Sequence, residues 1–155
     1  MKIAVLSDSH GFIPPSVTAQ LADCACILHA GDIVRAADLL ELGAYGHLYA
    51  VQGNCDIWVP DLRDLKETLR FTLDGVSFLM THTPQNIPRN LTGVRVVVYG
   101  HTHEYRAEWI DGVLWLNPGS CRKPRFGAPA TMAKLTLENG AVTAIQRISL
   151  GDAYD

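Results

Sequence analysis

Long apolar runs are missing from this 155-residue sequence. No window approaches the roughly 18 to 20 consecutive apolar residues that a membrane-spanning helix needs. The N-terminal apolar run, residues 3–6, is also too short for the hydrophobic region of a signal peptide. We therefore expect a cytoplasmic protein that does not enter a membrane.

Paired cysteines and massed positive charge are missing as well. None of the four cysteines belongs to a C-x-x-C pair, which argues against a zinc ribbon or a thioredoxin-type motif, and we expect reduced thiols. They are Cys24, Cys26, Cys55 and Cys121. The formal net charge is -3 and the basic residues are scattered, so nucleic-acid binding is not expected. With no repeat or linker-like segment, residues 1–155 are predicted to form one domain that needs no disulfide or structural metal to fold.

The first half of the sequence alternates short apolar runs with helical segments. Strands are predicted over residues 2–6, 24–29 and 47–52, with helices from the Pro14–Ser16 start to residue 22 and over residues 36–42. This spacing fits βαβ units, in which neighbouring strands are parallel. Because parallel strands end at the same edge of a sheet, residues that follow these strands should lie close together.

The second half of the sequence is dominated by hairpins. Two-residue turns are predicted at Asp74-Gly75, Asp111-Gly112 and Asn139-Gly140. They would join residues 69–73 to 76–80, 105–110 to 113–116 and 133–137 to 141–150, with a further buried strand at 95–99. The change from βαβ units to hairpins predicts two sheets packed face to face, with helices on at least one outer side.

The buried strand at residues 95–99 ends in Gly100, His101, Thr102 and His103. Imidazole is the commonest protein ligand for metals, and glycine allows the sharp bend that would bring two histidines to one ion. Taken alone, the pair could equally be ordinary polar loop residues.

Other predicted strands end in residues of the same kind. Two carboxylates, one amide and four of the six histidines follow strand ends, and they are Asp8, His10, Asp32, Asn54, His82, His101 and His103. Seven ligands are too many for one tetrahedral ion and suit two ions that share a carboxylate. We expect His29 to pack or hydrogen-bond beneath this site and His47 to lie on the solvated surface.

The motifs occur in a fixed order along the chain. They are DSH (residues 8–10), GD (31–32), GNCD (53–56), TH (81–82), GHTH (100–103) and NPGS (117–120). In this order the sequence resembles the calcineurin-like metallophosphoesterase superfamily, and within it the small YfcE-type phosphodiesterases of bacteria and archaea. The resemblance implies an α/β (α+β) fold, a four-layer αββα sandwich of two mixed β-sheets flanked by helices.

The resemblance also implies how two divalent ions would be bound. Asp8, His10 and His103 would hold the first ion, Asn54, His82 and His101 the second, and Asp32 would bridge the two. Mn²⁺ is the metal expected from the resemblance, and Fe, Zn, Ni or Co could use the same ligands.

The reaction implied by the resemblance is hydrolysis of a small phosphodiester by a metal-bridging hydroxide. The catalytic residues would be Asp32, Asn54, Cys55 and Asp56, and the candidate substrate contacts are Asn54 and Arg35. Many relatives carry histidine in place of Cys55, and a neutral thiol with a pKa of about 8.5 is a weaker proton donor. We therefore expect substrates with good leaving groups.

The sequence departs from the family pattern after His82, where Thr83 and Pro84 replace the usual Gly-His and the connection to residue 95 is short. Substrate specificity should be affected more than metal binding. Further candidate phosphate contacts are Arg122, Lys123 and Arg125, which follow the NPGS loop.

Two alternative functions stay open. One is a catalytically weak or inactive scaffold of the same fold, and the other is a metal-dependent hydrolase of non-phosphate substrates. Exposed edge strands also make a homodimer or higher homo-oligomer an open expectation.

Overall fold

The structure is a computed structural model that describes residues 1–122 and 127–151. In this part of the chain the strands are β1 (Lys2–Leu6), β2 (Cys26–His29), β3 (His47–Ala50), β4 (Thr68–Leu73), β5 (Val76–Thr81), β6 (Val96–Val98), β7 (Arg106–Ile110), β8 (Val113–Asn117), β9 (Ala130–Glu138) and β10 (Ala141–Gly151). The α-helices are α1 (Pro15–Thr18) and α2 (Ala37–Gly43).

Two five-stranded mixed sheets form the fold. The first has the strand order β10-β9-β1-β2-β3 and the second β4-β5-β6-β8-β7. The parallel pairing predicted for the first three strands is confirmed, with Leu6 opposite His29 and His29 opposite Ala50. The carboxyl ends of β1, β2 and β3 therefore lie at one edge of the first sheet.

The core between the sheets comes from the inward side chains of both. Val5 and Leu28 of the first sheet pack with Phe78 and Val98 of the second, and all four are buried. Alternate residues of β1 and β2 face outwards and are covered by α1 and α2. Strands covered on both faces are apolar throughout, which explains the unbroken runs of the sequence.

An aromatic stack links the two sheets at one side of the core. The ring of Tyr49 lies 4.2 Å from that of Phe71, and the ring of Phe71 lies 5.3 Å from that of Phe78. Since Tyr49 belongs to β3 of the first sheet and the two phenylalanines to β4 and β5 of the second, the stack fixes the edges of the two sheets against each other.

The outer face of the second sheet has a thinner cover than the predicted αββα sandwich. The segment over residues 84–94 lies on it, with Ile87 and Leu91 packed against Leu79 and Val97. The regular structure there is a 3-10 turn, Pro84–Asn86, because the short, proline-containing segment leaves little room for a helix. Beside it lies a cavity of about 530 Å³, lined among others by Tyr99, Thr102 and Trp115.

The three predicted hairpin turns are confirmed. Asp74, Asp111 and Asn139 have φ values of 46°, 49° and 51°, and each precedes a glycine with positive φ, as type I′ turns require. Within the described ranges, no helix is long and apolar enough to span a membrane.

Several predicted boundaries are wrong by a few residues. Helix α1 ends at Thr18 rather than at residue 22, because the chain continues in i→i+3 turns, such as the Gln20 N–H to Val17 carbonyl bond. Strand β9 begins at Ala130 rather than at residue 133, because it pairs with β10 as far as Gly151.

Candidate metal centre

The seven predicted metal ligands lie at the carboxyl ends of five strands. They follow β1 (Asp8, His10), β2 (Asp32), β3 (Asn54), β5 (His82) and β6 (His101, His103). The parallel strands of both sheets thus deliver their carboxyl-terminal turns to one place.

Most of these ligands have an unusual backbone conformation. Five of the seven have positive φ, namely Asp8 (57°), His10 (47°), Asp32 (59°), His101 (73°) and His103 (63°). Residues other than glycine rarely adopt this region, which costs of order 1–3 kcal/mol each and persists where the surrounding structure enforces it. Such strain typically clusters at functional sites, and here it turns the side chains towards a common point.

The first group of ligand atoms surrounds Asp8. One carboxylate oxygen, Oδ1, lies 3.2 Å from His103 Nε2 and 3.7 Å from His10 Nε2. The other oxygen, Oδ2, accepts hydrogen bonds from the Ser7 hydroxyl at 2.6 Å and from the His101 N–H at 3.2 Å. Because these bonds orient the carboxylate, Oδ1 faces the two imidazoles.

The second group surrounds Asp32. Its Oδ2 lies 3.3 Å from His82 Nε2, which is also 3.8 Å from Asp8 Oδ1. The Nδ1 of His82 donates a hydrogen bond to the Ala30 carbonyl at 2.7 Å, so its Nε2 carries the lone pair that could bind a metal. Asp32 therefore stands between the first group and His82, where a bridging carboxylate would be needed.

Asn54 and His101 form a third contact. The Asn54 Oδ1 lies 3.2 Å from His101 Nδ1, and the ring of His101 meets that of His82 edge-on at 5.3 Å. The resemblance assigns His82, His101 and Asn54 to the same ion, and in the structure His101 is the member that contacts both of the others. Asn54 is solvent-exposed and faces the open side of the site.

The donor set fits divalent cations. Several buried ligand atoms have no hydrogen-bond partner among the described residues, namely Asp8 Oδ1, His10 Nε2, His82 Nε2, and both ring nitrogens of His103. A buried polar atom without a partner costs about 1–3 kcal/mol, and bound cations would satisfy Asp8 Oδ1 and one ring nitrogen of each of the three histidines. Asp8, His10 and His103 present ligand atoms within 4.8 Å of one another, and so do Asp8, Asp32 and His82.

Contacts between the carboxylates and the imidazoles of the site shift the pKa values of both. Burial raises the pKa of the Asp8 carboxyl, but contacts with His10 and His103 outweigh burial and hold that pKa well below its usual range. Burial likewise opposes ionisation of Asp32, and His82 outweighs it, so the pKa of Asp32 is lowered. The hydrogen bond to Asp8 raises the pKa of His10. Both carboxylates are thus anionic near neutral pH, as metal ligands must be.

Cys55 lies beside this centre and Asp56 beneath it. The Cys55 sulfur, Asp32 and His10 have ligand atoms within 4.8 Å of one another, and burial together with Asp32 raises the pKa of the Cys55 thiol to about 11. Asp56 has no solvent exposure, and both of its oxygens accept backbone N–H bonds. In this position the Asp56 carboxylate cannot reach a substrate, so the geometry does not favour the direct catalytic role that the resemblance implies for it.

His29 connects the first two ligand turns from below, as the sequence predicts. The Gly31 N–H donates to His29 Nδ1 at 3.1 Å, so Nε2 carries the proton and donates to the Ser9 hydroxyl at 2.8 Å. Burial lowers the pKa of His29 to about 4, which keeps the ring neutral. The ring thus joins the turn of Asp8 and His10 to the turn of Asp32.

The basic candidates have different surroundings. Arg35 is exposed and pairs with the buried Asp38 at 3.0 Å. Arg122 donates to the His10 carbonyl at 3.0 Å and its guanidinium lies 5.1 Å from the ring centre of Phe12, so it supports the first ligand turn. Lys123 and Arg125 lie outside the described residues.

Two hydroxyl groups orient the first ligand turn: the sequence predicts that Ser120 stabilises the loop beneath the site, whereas sequence reasoning missed Ser7. Ser7 holds the Asp8 carboxylate, and the Ser120 hydroxyl donates to the Asp8 carbonyl at 3.0 Å. The position of Ser7 directly before Asp8 was the available signal, whereas Ser120 is 112 residues away from its partner.

Two glycines allow the ligand turns to approach one another. A Cβ atom at Gly100 would lie 2.1 Å from the Ser7 hydroxyl oxygen and 2.8 Å from Asp8 Oδ2. A Cβ atom at Gly53 would lie 2.1 Å from the backbone nitrogen of Asp32. Any larger residue at these positions would therefore push the turns apart.

Family membership follows from the whole sequence as well as from this site. Residues 1–140 match the family described as the calcineurin-like phosphoesterase superfamily domain. This chain belongs to that superfamily. The resemblance inferred from the motifs is confirmed, and so is the prediction of a metal-dependent phosphoric ester hydrolase. As a calcineurin-like phosphoesterase, the chain has the predicted sandwich of two mixed sheets.

Relatives of known name cover nearly the whole chain. The probable metallophosphoesterase YsnB of Bacillus subtilis is 31% identical over 92% of this chain and 88% of its own. Phosphodiesterase YfcE of Escherichia coli is 28% identical over 97% of this chain and 95% of its own. The solved structure of YfcE superposes with a TM-score of 0.72 at 25% identity, covering 97% of this chain and 100% of that one.

The fold also occurs in a protein that is not named as a phosphoesterase. The structure of Vps29 from Entamoeba histolytica, complexed with Zn²⁺, has a TM-score of 0.75 at 19% identity and covers 97% of this chain and 100% of that one. An identity this low shows a shared fold and nothing further about function. The fold alone therefore does not establish a function.

Proposed function

We propose that this calcineurin-like phosphoesterase is a dinuclear, metal-dependent phosphodiesterase that hydrolyses small phosphodiesters. The observation that carries the proposal is the cluster of buried, unpartnered ligand atoms around Asp8, His82 and His103. The name of the relative YfcE, a phosphodiesterase, supports the choice of diesters over monoesters.

The seven ligands divide into two sets in this proposal. Asp8, His10 and His103 would hold one cation, His82, His101 and Asn54 would hold the other, and Asp32, which lies 3.9 Å from His10 and 3.3 Å from His82, would serve both. When bound, two divalent ions would lower the pKa of a coordinated water and stabilise the charge of the phosphoryl group. Because only Asp8 and Asp32 are anionic, the two ions leave net positive charge for a phosphate.

The protein groups at the open side act on the substrate. The exposed Asn54 amide lies at the edge of the ligand cluster, where it can contact a phosphoryl oxygen while it binds metal. Cys55 keeps its proton near neutral pH and can donate it to a leaving group, although a thiol of such high pKa is a weak acid. Arg35 is free at its solvent-facing side to contact a charged substrate.

The metal we assign is Mn²⁺, with Fe, Zn, Ni and Co as chemically compatible substitutes.

The location and the partners of the protein also belong to the proposal. All four cysteines are free thiols, which agrees with a cytoplasmic location. The partner is a small phosphoester rather than a nucleic acid, and assembly into a homodimer through an exposed sheet edge is compatible with the fold.

One experiment tests the function. The purified protein is assayed with Mn²⁺ against a model phosphodiester, a phosphomonoester and a carboxyl ester, with and without a chelator. We expect diester hydrolysis that the chelator abolishes, and a loss of about 10²-fold or more in kcat/KM in Asp32→Asn and His103→Ala. Arg95→Gln, an exposed change directly before β6 and at the opposite end of that strand from the ligand turn, is the control.

Each alternative predicts a different result. A scaffold would bind metal fully and hydrolyse none of the three substrates. A non-phosphate hydrolase would cleave the carboxyl ester alone. Hydrolysis that survives the chelator, or full activity in both ligand variants, would contradict the metal mechanism.

A further inference from the structure

The Asp56 carboxylate accepts four backbone hydrogen bonds. Its Oδ2 accepts from the N–H groups of Gly53 at 2.8 Å and Asp32 at 3.0 Å, and its Oδ1 accepts from those of Ile33 and Val34, both at 2.8 Å. The side chain has no solvent exposure. A buried carboxylate needs such compensation, because desolvation of an uncompensated charge is costly.

These four bonds join two turns that carry metal ligands. Gly53 lies next to the ligand Asn54, and residues 32–34 begin with the ligand Asp32 itself. A further bond runs in the opposite direction, since the Cys55 N–H donates to Asp32 Oδ1 at 2.9 Å. The two turns therefore hold each other, and Asp32 Oδ2 is left to face His82.

The bond to Val34 restrains the least favourable backbone in this part of the chain. Val34 has a φ of 69°, a conformation that β-branched residues strongly disfavour. Asp32, two residues earlier, is also in the left-handed region with a φ of 59°. A turn with two such residues needs external bonds to keep its shape, and Asp56 provides three of them.

We propose that Asp56 is a positioning residue, which presents the bridging carboxylate of Asp32 to the metals without touching metal or substrate. The inference rests on the proposed metal centre but not on the class of substrate. It replaces a direct catalytic role for Asp56, because a carboxylate already bound by four N–H groups has no lone pair directed at the open side of the site.

The test measures metal binding directly. Mn²⁺ is titrated calorimetrically into the metal-free full chain, for the wild type and for Asp56→Asn. The amide keeps one oxygen but turns an NH₂ group towards backbone N–H donors, so at least one turn must shift. Loss of an outer hydrogen-bond partner of a metal ligand typically costs about 10- to 100-fold in metal affinity, and we expect a loss of that size.

A matched control separates positioning from general stability. Asp38→Asn also replaces a fully buried carboxylate. Asp38 lies on helix α2, its carboxylate pairs with Arg35, and among the described contacts it makes no bond to Asp32 or Asn54. Both variants are expected to lower Tm, and Asp56→Asn alone is expected to weaken Mn²⁺ binding. Equal weakening in the two variants, or wild-type affinity in Asp56→Asn, would overturn the proposal.

Steady-state kinetics add a second readout. At saturating Mn²⁺ the KM of Asp56→Asn for the model diester should stay within about twofold of wild type, because Asp56 does not contact substrate, while the Mn²⁺ dependence of the rate shifts to higher concentration. A large rise in KM at saturating metal would instead indicate a substrate contact and overturn the proposal.

A second variant covers the case in which Asp56→Asn does not fold. Asp56→Glu keeps the charge and both oxygens but displaces them by one methylene, so it should fold and show a smaller loss of Mn²⁺ affinity in the same direction. Wild-type affinity in Asp56→Glu would overturn the proposal. A wild-type chain that binds no Mn²⁺ would overturn the metal function itself, whereas Mn²⁺ binding without diester hydrolysis would leave the role of Asp56 intact.

Discussion

At the scale of single residues, the ligand cluster requires a glycine without a side chain at residue 100 as well as the ligands themselves. Gly100 lies against the Ser7 hydroxyl and the Asp8 carboxylate, and the same GHTH turn sends His101 and His103 into the site. A Cβ at Gly100 would displace a carboxylate whose oxygen must remain free for metal. Glycine at this position is thus part of the site, although it contributes no ligand atom.

Gly100→Ala is therefore predicted to weaken metal binding by at least tenfold and to lower Tm, because the added Cβ would lie 2.1 Å from Ser7 Oγ. Gly43→Ala is the control, since a Cβ there meets nothing within 4 Å, and it should stabilise helix α2 by up to about 1 kcal/mol. Calorimetric Mn²⁺ titration and thermal unfolding of both variants check the prediction. Unchanged Mn²⁺ affinity in Gly100→Ala would show that the turns of Asp8 and Gly100 can move apart without loss of metal binding, and would contradict the prediction.

At the scale of elements, the two sheets are held by side chains that differ in their distance from the metal. The aromatic stack of Tyr49, Phe71 and Phe78 fixes β3 against β4 and β5, and it contains no ligand. The edge that carries the ligands is fixed instead by hydrogen bonds between turns. Stability and metal binding can thus be changed separately.

Phe78→Ala is predicted to lower the free energy of unfolding by about 3–5 kcal/mol, the usual cost of emptying a buried aromatic site. At a temperature where the variant stays folded, its kcat/KM should be close to that of wild type. Denaturant unfolding and diester hydrolysis provide the two measurements, with the 80% exposed Leu40 changed to Ala as the control. A loss of activity in the folded variant would mean that the stack also sets the geometry of the ligand turns.

Much of the element order can be predicted from the sequence because its signals are local. The Asp74-Gly75 turn needs only its own two residues to define a hairpin, and the apolar run at residues 2–6 needs only its composition. The length of β10 and the thin cover over β6 depend on partners far away in the chain, which no local pattern contains.

The candidate site also has a part that the sequence predicts and a part that it does not. Ligand types such as His101 and His103 are visible in the sequence, and their convergence follows from strand ends and motif order. The support beneath them is not visible, because Asp56 is bonded to N–H groups 22 to 24 residues away, and a backbone donor leaves no trace in residue type. The resemblance consequently groups Asp56 with the catalytic residues, and no signal in the sequence points to its hydrogen bonds.

At the scale of the whole molecule, the site makes stability depend on both pH and metal. The raised pKa values of His10 and His82 favour folding of the metal-free protein below the ordinary histidine value of about 6.5, and this contribution is lost as pH rises through the raised values. The lowered pKa values of Asp8 and Asp32 favour folding above about 4, and that contribution is lost in acid. The lowered pKa of His29 acts in the opposite direction to those of His10 and His82, because below about 6.5 its ring is protonated in the unfolded chain but stays neutral in the folded protein.

The Tm increase caused by Mn²⁺ is predicted to grow as pH rises from about 6 to about 8. The trend follows because Mn²⁺ must displace protons from the imidazoles that bind it. Thermal unfolding with and without a chelator measures the increase at each pH. His10→Gln should weaken the trend, and His47→Gln, an exposed change at the start of β3, should leave it intact. Parallel curves with and without metal would contradict the prediction.

Positive φ at five of the seven ligands has a consequence for how such a chain changes over generations. Glycine would relieve the backbone strain at each of these positions. Substitutions that remove a ligand and its strained conformation are therefore expected to be tolerated or favoured by selection for stability when metal binding is not required. Folding stability alone therefore does not explain why Asp8, Asp32 and His101 occupy these conformations.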